Sequence, residues 1–403
     1  MKLFSRALRG LTAALALALP PFAAAAQSGP TEQIERINGV AVAPQPLRTD
    51  NAVLLIGTDF GLMRAGPDGM ATVLPDVELA VTGLAGDINR AGRIFLSGVD
   101  AQSRPAPLML SEDGGASWRP VSASPVAVRS LSVMPGNPDA LAAVAGGIMT
   151  SPDGGKTWGP IPNSPEKVFS VARSSLSEND LYAATMGGLL LSGDGGESWR
   201  PAHESDNPAT AVTVLPGGKV LAYIFGVGLV GAQEPELQWQ VLEDGFADRY
   251  ILSLAADPLD PDTIYAIMDT GAIMMSRNGG RDWISYEGSD KFTPERLARG
   301  EQLFEGTCAA CHGAKGVGEA PGNPEARDEF GFKAPALNDD MHAWHHSDAA
   351  LKATISQGSP RNPRMVAFSK QMPEEDIEDI IVYLKSLWSL RSLACQGARH
   401  GRC

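Results

Sequence analysis

Cysteine is scarce in this chain of 403 residues. Four occur: Cys308 and Cys311, three positions apart, and Cys395 and Cys403, close to the C-terminus. No second C-x-x-C or H-x-x-H arm lies near the first pair, which argues against a zinc ribbon. Basic residues are also short, 33 against 47 acidic ones, for a formal net charge of −14. That balance argues against nucleic acid and anionic membrane as partners and favours a protein that is basic where it docks. Histidine numbers six, and only His203 falls within residues 31–290, a stretch with no cysteine. A metal cluster that needs several such ligands has no place there. Beyond residue 26, no apolar run is long enough to span a bilayer.

The first 26 residues stand apart. Lys2, Arg6 and Arg9 form a charged start, Leu11 to Leu19 is apolar, and Ala24-Ala25-Ala26 offers a small-residue cleavage site. Residues 1–26 read as a secretory signal peptide, with no cysteine at the cleavage point to carry a lipid. Pro20 and Pro21 interrupt the apolar run, which disfavours a retained anchor. The expected product is exported and soluble, with no stable membrane insertion. In an oxidising compartment Cys395 and Cys403 are expected to form a small terminal disulfide; a metal-binding or redox thiol pair is the rival reading.

Residues 31–290 repeat. Ser111-Glu-Asp113-Gly-Gly115-Ala-Ser-Trp118 recurs as Ser151-Pro-Asp153-Gly-Gly155-Lys-Thr-Trp158, as Ser192-Gly-Asp194-Gly-Gly196-Glu-Ser-Trp199 and as Ser276-Arg-Asn278-Gly-Gly280-Arg-Asp-Trp283. The first three lie 40 and 41 residues apart, and the last is 84 further on, two more periods. Degraded copies sit at Gly61 to Arg64 and at Gly228 to Val230 with Trp239, which makes six units. A period in the low forties with short, Gly/Pro-punctuated strands predicts a closed ring of four-stranded blades. In the third unit the strands are expected at Val128–Met134, Leu141–Val144, Ile148–Thr150 and from Thr157 onward. The first unit has its own opening strand at Val40–Val42, so no strand is expected to be exchanged between the ends. Met109, Met149 and Met274 share one repeat position and read as packing between blades.

The phrase S-x-D-x-G-x-x-W resembles the Asp-box of sialidase-like (BNR) propellers. The resemblance implies a carboxylate that caps backbone N–H groups of a turn on the outer rim, away from the binding face. No catalytic set of that family aligns here, so the likeness carries no hydrolase chemistry into the chain.

Cys308-Ala309-Ala310-Cys311-His312 is the spacing of a c-type haem attachment site. Two thiols a helical turn apart reach the two vinyl groups on one porphyrin edge. The next residue lies beneath the ring, where its imidazole takes the iron. One covalent haem c is expected, bound through Cys308 and Cys311, with His312 as proximal ligand. Haem attachment outside the cytoplasm agrees with the export signal, and the expected location is periplasmic.

The flanks strengthen this. Thr293 caps a helix with Pro294 at its first position, and Leu297, Gly300, Leu303 and Phe304 form one face. A last helix, Pro373 to Leu387, opens on Glu374, Glu375 and Asp376 and has Ile377, Ile380, Ile381 and Leu384 inward. Residues 293–390 thus resemble class I c-type cytochromes, with 391–403 as a tail. The resemblance implies that the first and last helices cross closely at the Gly and the aromatic. It implies that Pro335, in Ala334-Pro335-Ala336-Leu337, gives its carbonyl to His312. It also implies a methionine as sixth ligand: Met365, in Arg364-Met365-Val366-Ala367-Phe368, with Met372 the runner-up and Met341 third. Val366 stands where the family usually has proline. Such an iron transfers electrons and closes its site to small ligands.

Met341 to Gly358 reads as a helix, with Trp344, Leu351 and Ile355 inward. On it His342, His345 and His346 would share a face and could hold copper or zinc. Arg361 and Arg364 are candidates to neutralise haem propionates. The whole is read as multidomain, an all-β six-bladed propeller followed by an all-α cytochrome c domain. Its expected role is an electron carrier rather than an enzyme, with the propeller as docking or recognition scaffold and a basic redox protein as partner. The alternatives are an oxidoreductase or hydrolase with its substrate on the propeller face, and copper handling.

Overall fold

The computed structural model describes residues 28–31, 34, 36–43, 52–122, 128–323, 325–341 and 343–403. The signal peptide and His342 lie outside them.

Six antiparallel four-stranded meanders follow one another along the chain. Blade 1 is β2 (Ile37–Ala43), β3 (Val53–Thr58), β4 (Gly61–Ala65) and β5 (Met70–Val73), with β1 (Ser28–Pro30) added outside β5. Blade 2 is β6 (Ala80–Gly86), β7 (Ile94–Val99), β8 (Met109–Ser111) and β9 (Arg119–Pro120). Blade 3 is β10 (Ser130–Met134), β11 (Asn137–Val144), β12 (Ile148–Ser151) and β13 (Gly159–Pro160). Blade 4 is β14 (Val168–Arg173), β15 (Leu181–Thr185), β16 (Gly188–Ser192) and β17 (Arg200–Pro201). Blade 5 is β18 (Ala209–Val214), β19 (Lys219–Ile224), β20 (Gly228–Gln233) and β21 (Gln240–Glu243). Blade 6 is β22 (Ile251–Asp257), β23 (Asp260–Met268), β24 (Ile273–Ser276) and β25 (Ile284–Ser285). The first strands of successive blades touch one another around the ring, and β22 meets β2 to close it. The third unit's opening strand starts two residues later than its pattern suggested, and β11 already begins at Asn137.

The repeated phrase lies between the third and fourth strands and explains its own composition. Ser111 Oγ donates to Asp113 Oδ1 at 2.8 Å and accepts from Gly115 N at 2.8 Å, while Ser117 N donates to Asp113 Oδ1 at 2.8 Å. The same pattern recurs around Asp153 and Asp194, and around Asn278 in blade 6. The second glycine has two reasons to lack a side chain. Its φ is positive, +87° at Gly115, and a Cβ there would come within 2.5 Å of Leu55 in the preceding blade. Gly155 stands in the same relation to Leu108.

The ring closes without strand exchange. Instead the blade 1 and blade 6 cores merge: Leu54 and Ile56 pack with Tyr265, Ile267, Met275 and Tyr286. Tyr286 Oη donates to Ala52 O at 2.8 Å, across the seam. In five blades the first strand carries a one-residue bulge, at Asn38, Thr82, Phe169, Thr210 and Leu252. Three of these lace blade to blade. Asn38 Nδ2 donates to Val81 O at 2.8 Å, Thr82 Oγ1 to Val128 O at 2.8 Å, and Thr210 Oγ1 to Ile251 O at 2.5 Å. Phe169 and Leu252 make no such bond and are 40% and 47% exposed at the channel mouth.

The helical region begins with α1 (Pro294–Leu303), capped by Thr293, whose Oγ1 accepts from Arg296 N at 3.3 Å. One π turn, Phe304–Cys308, leads into α2 (Ala309–His312). Then come α3 (Asp348–Gln357), α4 (Glu374–Ser386) and α5 (Leu390–Ala394), followed by a 3₁₀ turn at Gly397–Arg402. The expected helix from Met341 is shorter than read. Ser347 is extended and accepts from Ala350 N, which starts α3 at Asp348, while Ala343–His345 forms a separate 3₁₀ turn. Gly300 is where α1 and α4 cross: a Cβ there would collide with the Asp379 carbonyl. Phe304 lies against Tyr383 with ring centroids 5.4 Å apart.

Candidate functional site

Cys308, Cys311 and His312 come together because the π turn hands the chain directly to α2. Cys308 is half-buried and Cys311 exposed, and neither thiol is in a disulfide. Burial pushes the Cys308 thiol up to about 11, with a smaller contribution from Cys311 beside it. His312 Nδ1 lies 2.8 Å from Pro335 O. A peptide carbonyl only accepts, so Nδ1 carries the proton and Nε2 keeps its lone pair. Burial lowers the His312 pKa, opposed by the Pro335 carbonyl and by Glu319.

Pro335 is held there by backbone pairing. Glu319 N donates to Ala334 O at 3.0 Å, and Leu337 N donates to Gly316 O at 2.7 Å. Gly318 has φ +85°, and a Cβ on it would strike Ala336 N, so the two segments can approach only at glycine.

The opposite wall is apolar. Leu351 and Ile355 of α3 are buried in one cluster, against which Leu337, Trp344, Met365, Phe368 and Met372 pack. Met365 sits in a loop closed by its own backbone: Ser359 N donates to Met365 O at 3.0 Å and Met365 N to Asn362 O at 3.1 Å. Met372 N donates to Phe368 O at 2.9 Å, at the entrance to α4. Both candidate methionines are half-buried, and so is Met341.

The two arginines separate. Arg361 is exposed, whereas the Arg364 guanidinium is bound to Glu319 and Asp328. Arg364 therefore spends its charge inside the domain and is a poor propionate partner. Trp344 Nε1 is buried with no hydrogen-bond partner. Nothing in the sequence marks it as a donor held in reserve.

These residues fit a haem. They offer two unpaired thiols at the attachment spacing, an imidazole with its coordinating nitrogen free, an apolar wall, and an unmatched buried N–H beside it. Cys308 and Cys311 would hold the ring edge, and His312 the iron.

The copper reading loses its helix. His345 and His346 precede α3, His345 stacks on His400 with centroids 4.7 Å apart, and the His346 carbonyl accepts from Gln396 Nε2. Among the described residues no group of three or more His, Cys, Asp or Glu is placed to hold a metal ion. Cys395 and Cys403 are joined in a disulfide.

The channel of the propeller is lined mainly by aliphatic and small hydroxyl side chains, and its Asp87 is paired with Arg93 at 3.1 Å. Tyr182 Oη donates to Glu234 Oε1 at 2.9 Å, but this tyrosine–carboxylate pair is buried and lies on the rim that bears the repeated turns. It joins blade 4 to blade 5 where the latter has lost its turn motif.

Residues 295–384 match the family described as cytochrome C oxidase, cbb3-type, subunit III. The cbb3-type cytochrome c oxidase subunit CcoP of Rubrivivax gelatinosus is 34% identical over 94 residues, 23% of this chain and 27% of that protein. Subunit FixP of Bradyrhizobium diazoefficiens is 37% identical over 90 residues, 22% of this chain and 27% of that one. The chain thus spans about a quarter of the length of these curated relatives. Among solved structures, the GH74 xyloglucanase from Xanthomonas campestris aligns with a TM-score of 0.45 and 17% identity, covering 65% of this chain and 47% of that one. YCF48 bound to D1 peptide aligns with a TM-score of 0.41 and 16% identity, covering 66% and 86%. The C-terminal region is a cytochrome c domain, and it follows a six-bladed β-propeller.

Proposed function

We propose that this protein is an exported, periplasmic c-type cytochrome that carries single electrons on one haem attached covalently through Cys308 and Cys311. The observation that carries the reading is the 2.8 Å contact from His312 Nδ1 to Pro335 O, which leaves Nε2 as a ligand of set orientation. When bound, the haem supplies a one-electron iron couple. His312 and Met365 would hold the iron, with Met372 as the alternative to Met365. The closed loop around Met365 and the apolar wall would keep water from the group.

The propeller is the docking scaffold. Its blandly lined channel supports docking over catalysis. The negative excess also belongs to it: residues 28–292 hold 32 acidic and 17 basic residues, whereas residues 293–403 hold 15 and 13. A basic redox partner would be gathered by the propeller and presented to the neighbouring haem domain.

The test uses protein matured in a strain competent for haem attachment. Porphyrin should stay with the polypeptide through acid-acetone extraction; its loss defeats the covalent assignment. The weak near-infrared band of a thioether-ligated ferric haem should vanish in Met365→Ala and persist in Met372→Ala. The reverse pattern transfers the ligand to Met372.

A further inference from the structure

The C-terminal tail is bound to more of the molecule than its position suggests. Thr270 Oγ1, in the β23–β24 loop of blade 6, donates to Ala394 O at 2.7 Å, and Arg402 Nη1 donates back to Thr270 O at 2.7 Å. Arg399, 2% exposed, reaches Glu287 in the interdomain linker, with Nη1 3.2 Å from Oε2. Gln396 Nε2 donates to Asp348 Oδ1 at 2.7 Å and to His346 O at 3.1 Å, both in the haem domain. The tail thus grips propeller, linker and haem domain together. The Cys395–Cys403 disulfide closes the loop that carries Gln396, Arg399 and Arg402.

The two sulfurs are unequally placed. Cys403 is exposed, whereas Cys395 is 1% exposed. Arg249 Nη2 lies 3.5 Å from Cys395 Sγ, and Arg249 Nε is buried without a partner. Arg249 Nη1 pairs with Asp269 Oδ2 at 3.7 Å, and Arg249 Nη2 also lies 3.5 Å from Cys403 O, so the guanidinium touches both ends of the disulfide loop. A guanidinium 3.5 Å from one sulfur offers a positive charge to the thiolate that would leave from it, and a stabilised leaving thiolate speeds thiol–disulfide exchange. An ordinary structural staple needs neither the asymmetry nor the cation.

We propose that Cys395–Cys403 is a second redox centre, a disulfide that exchanges with dithiol reductants and whose opening releases the clasp between haem domain and propeller. A reductant thiolate attacks Cys403 Sγ, forming a mixed disulfide there. The Cys395–Cys403 bond breaks, and its electron pair stays on Cys395 Sγ as a thiolate facing Arg249. The reductant's second thiol then attacks the mixed disulfide and expels Cys403. Two electrons pass from the dithiol, which ends as a disulfide, and its two protons serve the two cysteines. With the loop open, Arg399 and Arg402 lose the covalent constraint that holds them on Glu287 and Thr270.

The experiment takes the folded, haem-loaded full chain without denaturant. Dithiothreitol is added, samples are quenched with maleimide, and the mass shift is followed; glutathione replaces it to trap the mixed disulfide. We expect glutathione on Cys403 with Cys395 open to alkylation. Reduction should be at least tenfold slower in Arg249→Gln, largely restored in Arg249→Lys, and unchanged in the exposed-pair control Arg391→Gln. Trypsin should cleave after Lys291 in the linker at least fivefold faster once the disulfide is reduced, and equally fast in Cys395→Ser/Cys403→Ser with its haem spectrum intact. Reduction only in denaturant, glutathione on Cys395, or an equal rate in Arg249→Gln overturns the redox centre. Unchanged cleavage after reduction and in the double variant overturns the clasp. Haem retention is read separately by absorbance, so failure of the haem assignment is distinguishable from either result.

Discussion

Arg364 places Nη1 2.9 Å from Glu319 Oε2, and so ties the loop of Met365 to the segment that carries Pro335. The other Glu319 contact explains the route: Ala334 N, one residue before Pro335, donates to Glu319 Oε2 at 3.1 Å. The two faces of the cleft are therefore joined by one carboxylate. Arg364 holds that carboxylate below the usual glutamate range.

Replacing Arg364 with alanine should cost little stability, because the pair is partly exposed and screened by solvent. The effect should fall on the Met365 loop instead. Reduced Arg364→Ala should take up carbon monoxide, and the wild type should not. Both the stability change and the Soret shift are measurable on one sample, and an Arg364→Ala protein that excludes the gas as the wild type does rules out this role.

Gly300→Ala puts a methyl group where the Asp379 carbonyl passes. Overpacking of this kind costs about 1–3 kcal/mol. Denaturant unfolding followed by haem circular dichroism should show that loss, whereas the propeller transition, followed by tryptophan fluorescence, should stay put.

Glu234→Gln tests whether the buried tyrosine–carboxylate pair is structural. Glu234 accepts from Tyr182 Oη, Ser175 N and Ser175 Oγ, and an amide cannot accept from all three. Loss of about 1–3 kcal/mol from the propeller is expected, with haem reduction by ascorbate unaltered. A changed haem midpoint with unchanged propeller stability would contradict the structural role.

The repeated turns predict acid sensitivity. The Ser198 hydroxyl and backbone N–H, with Ser192, hold Asp194 down to about 2, and Ser117 does the same for Asp113. An unfolded aspartate titrates near 3.9. The folded pKa is the lower one, so the contribution is complete above about pH 4 and is lost as pH falls toward 2. Asn278 already fills this place in blade 6, with Oδ1 accepting from Asp282 N at 2.9 Å. Asp194→Asn should therefore fold at pH 7 and show a shallower drop in melting temperature between pH 4 and pH 2 than the wild type. An equal drop would place the acid sensitivity elsewhere.

What the sequence by itself determined is whatever depends on neighbours in the chain or on a fixed period. The attachment pentapeptide places two thiols and an imidazole on successive helical positions. The turn motif makes its own hydrogen bonds within five residues, so four intact copies and their spacing already count the blades. Gly300 and Phe304 share a helix face, and Thr293 caps it. Tertiary structure decided what depends on distant side chains meeting. Arg364 turned from a propionate candidate into a strut because Glu319, 45 residues away, reaches it first. Glu234 became an inter-blade anchor only because blade 4 brings Tyr182 to it. The helix read from Met341 was cut at Ser347, where a capping side chain outweighed the apolar pattern before it. The tail, a short run with two cysteines in sequence, became a three-way clasp because ring closure sets the β23–β24 loop of blade 6 beside the linker, and side-chain periodicity carries no information about which loops a closed ring makes neighbours.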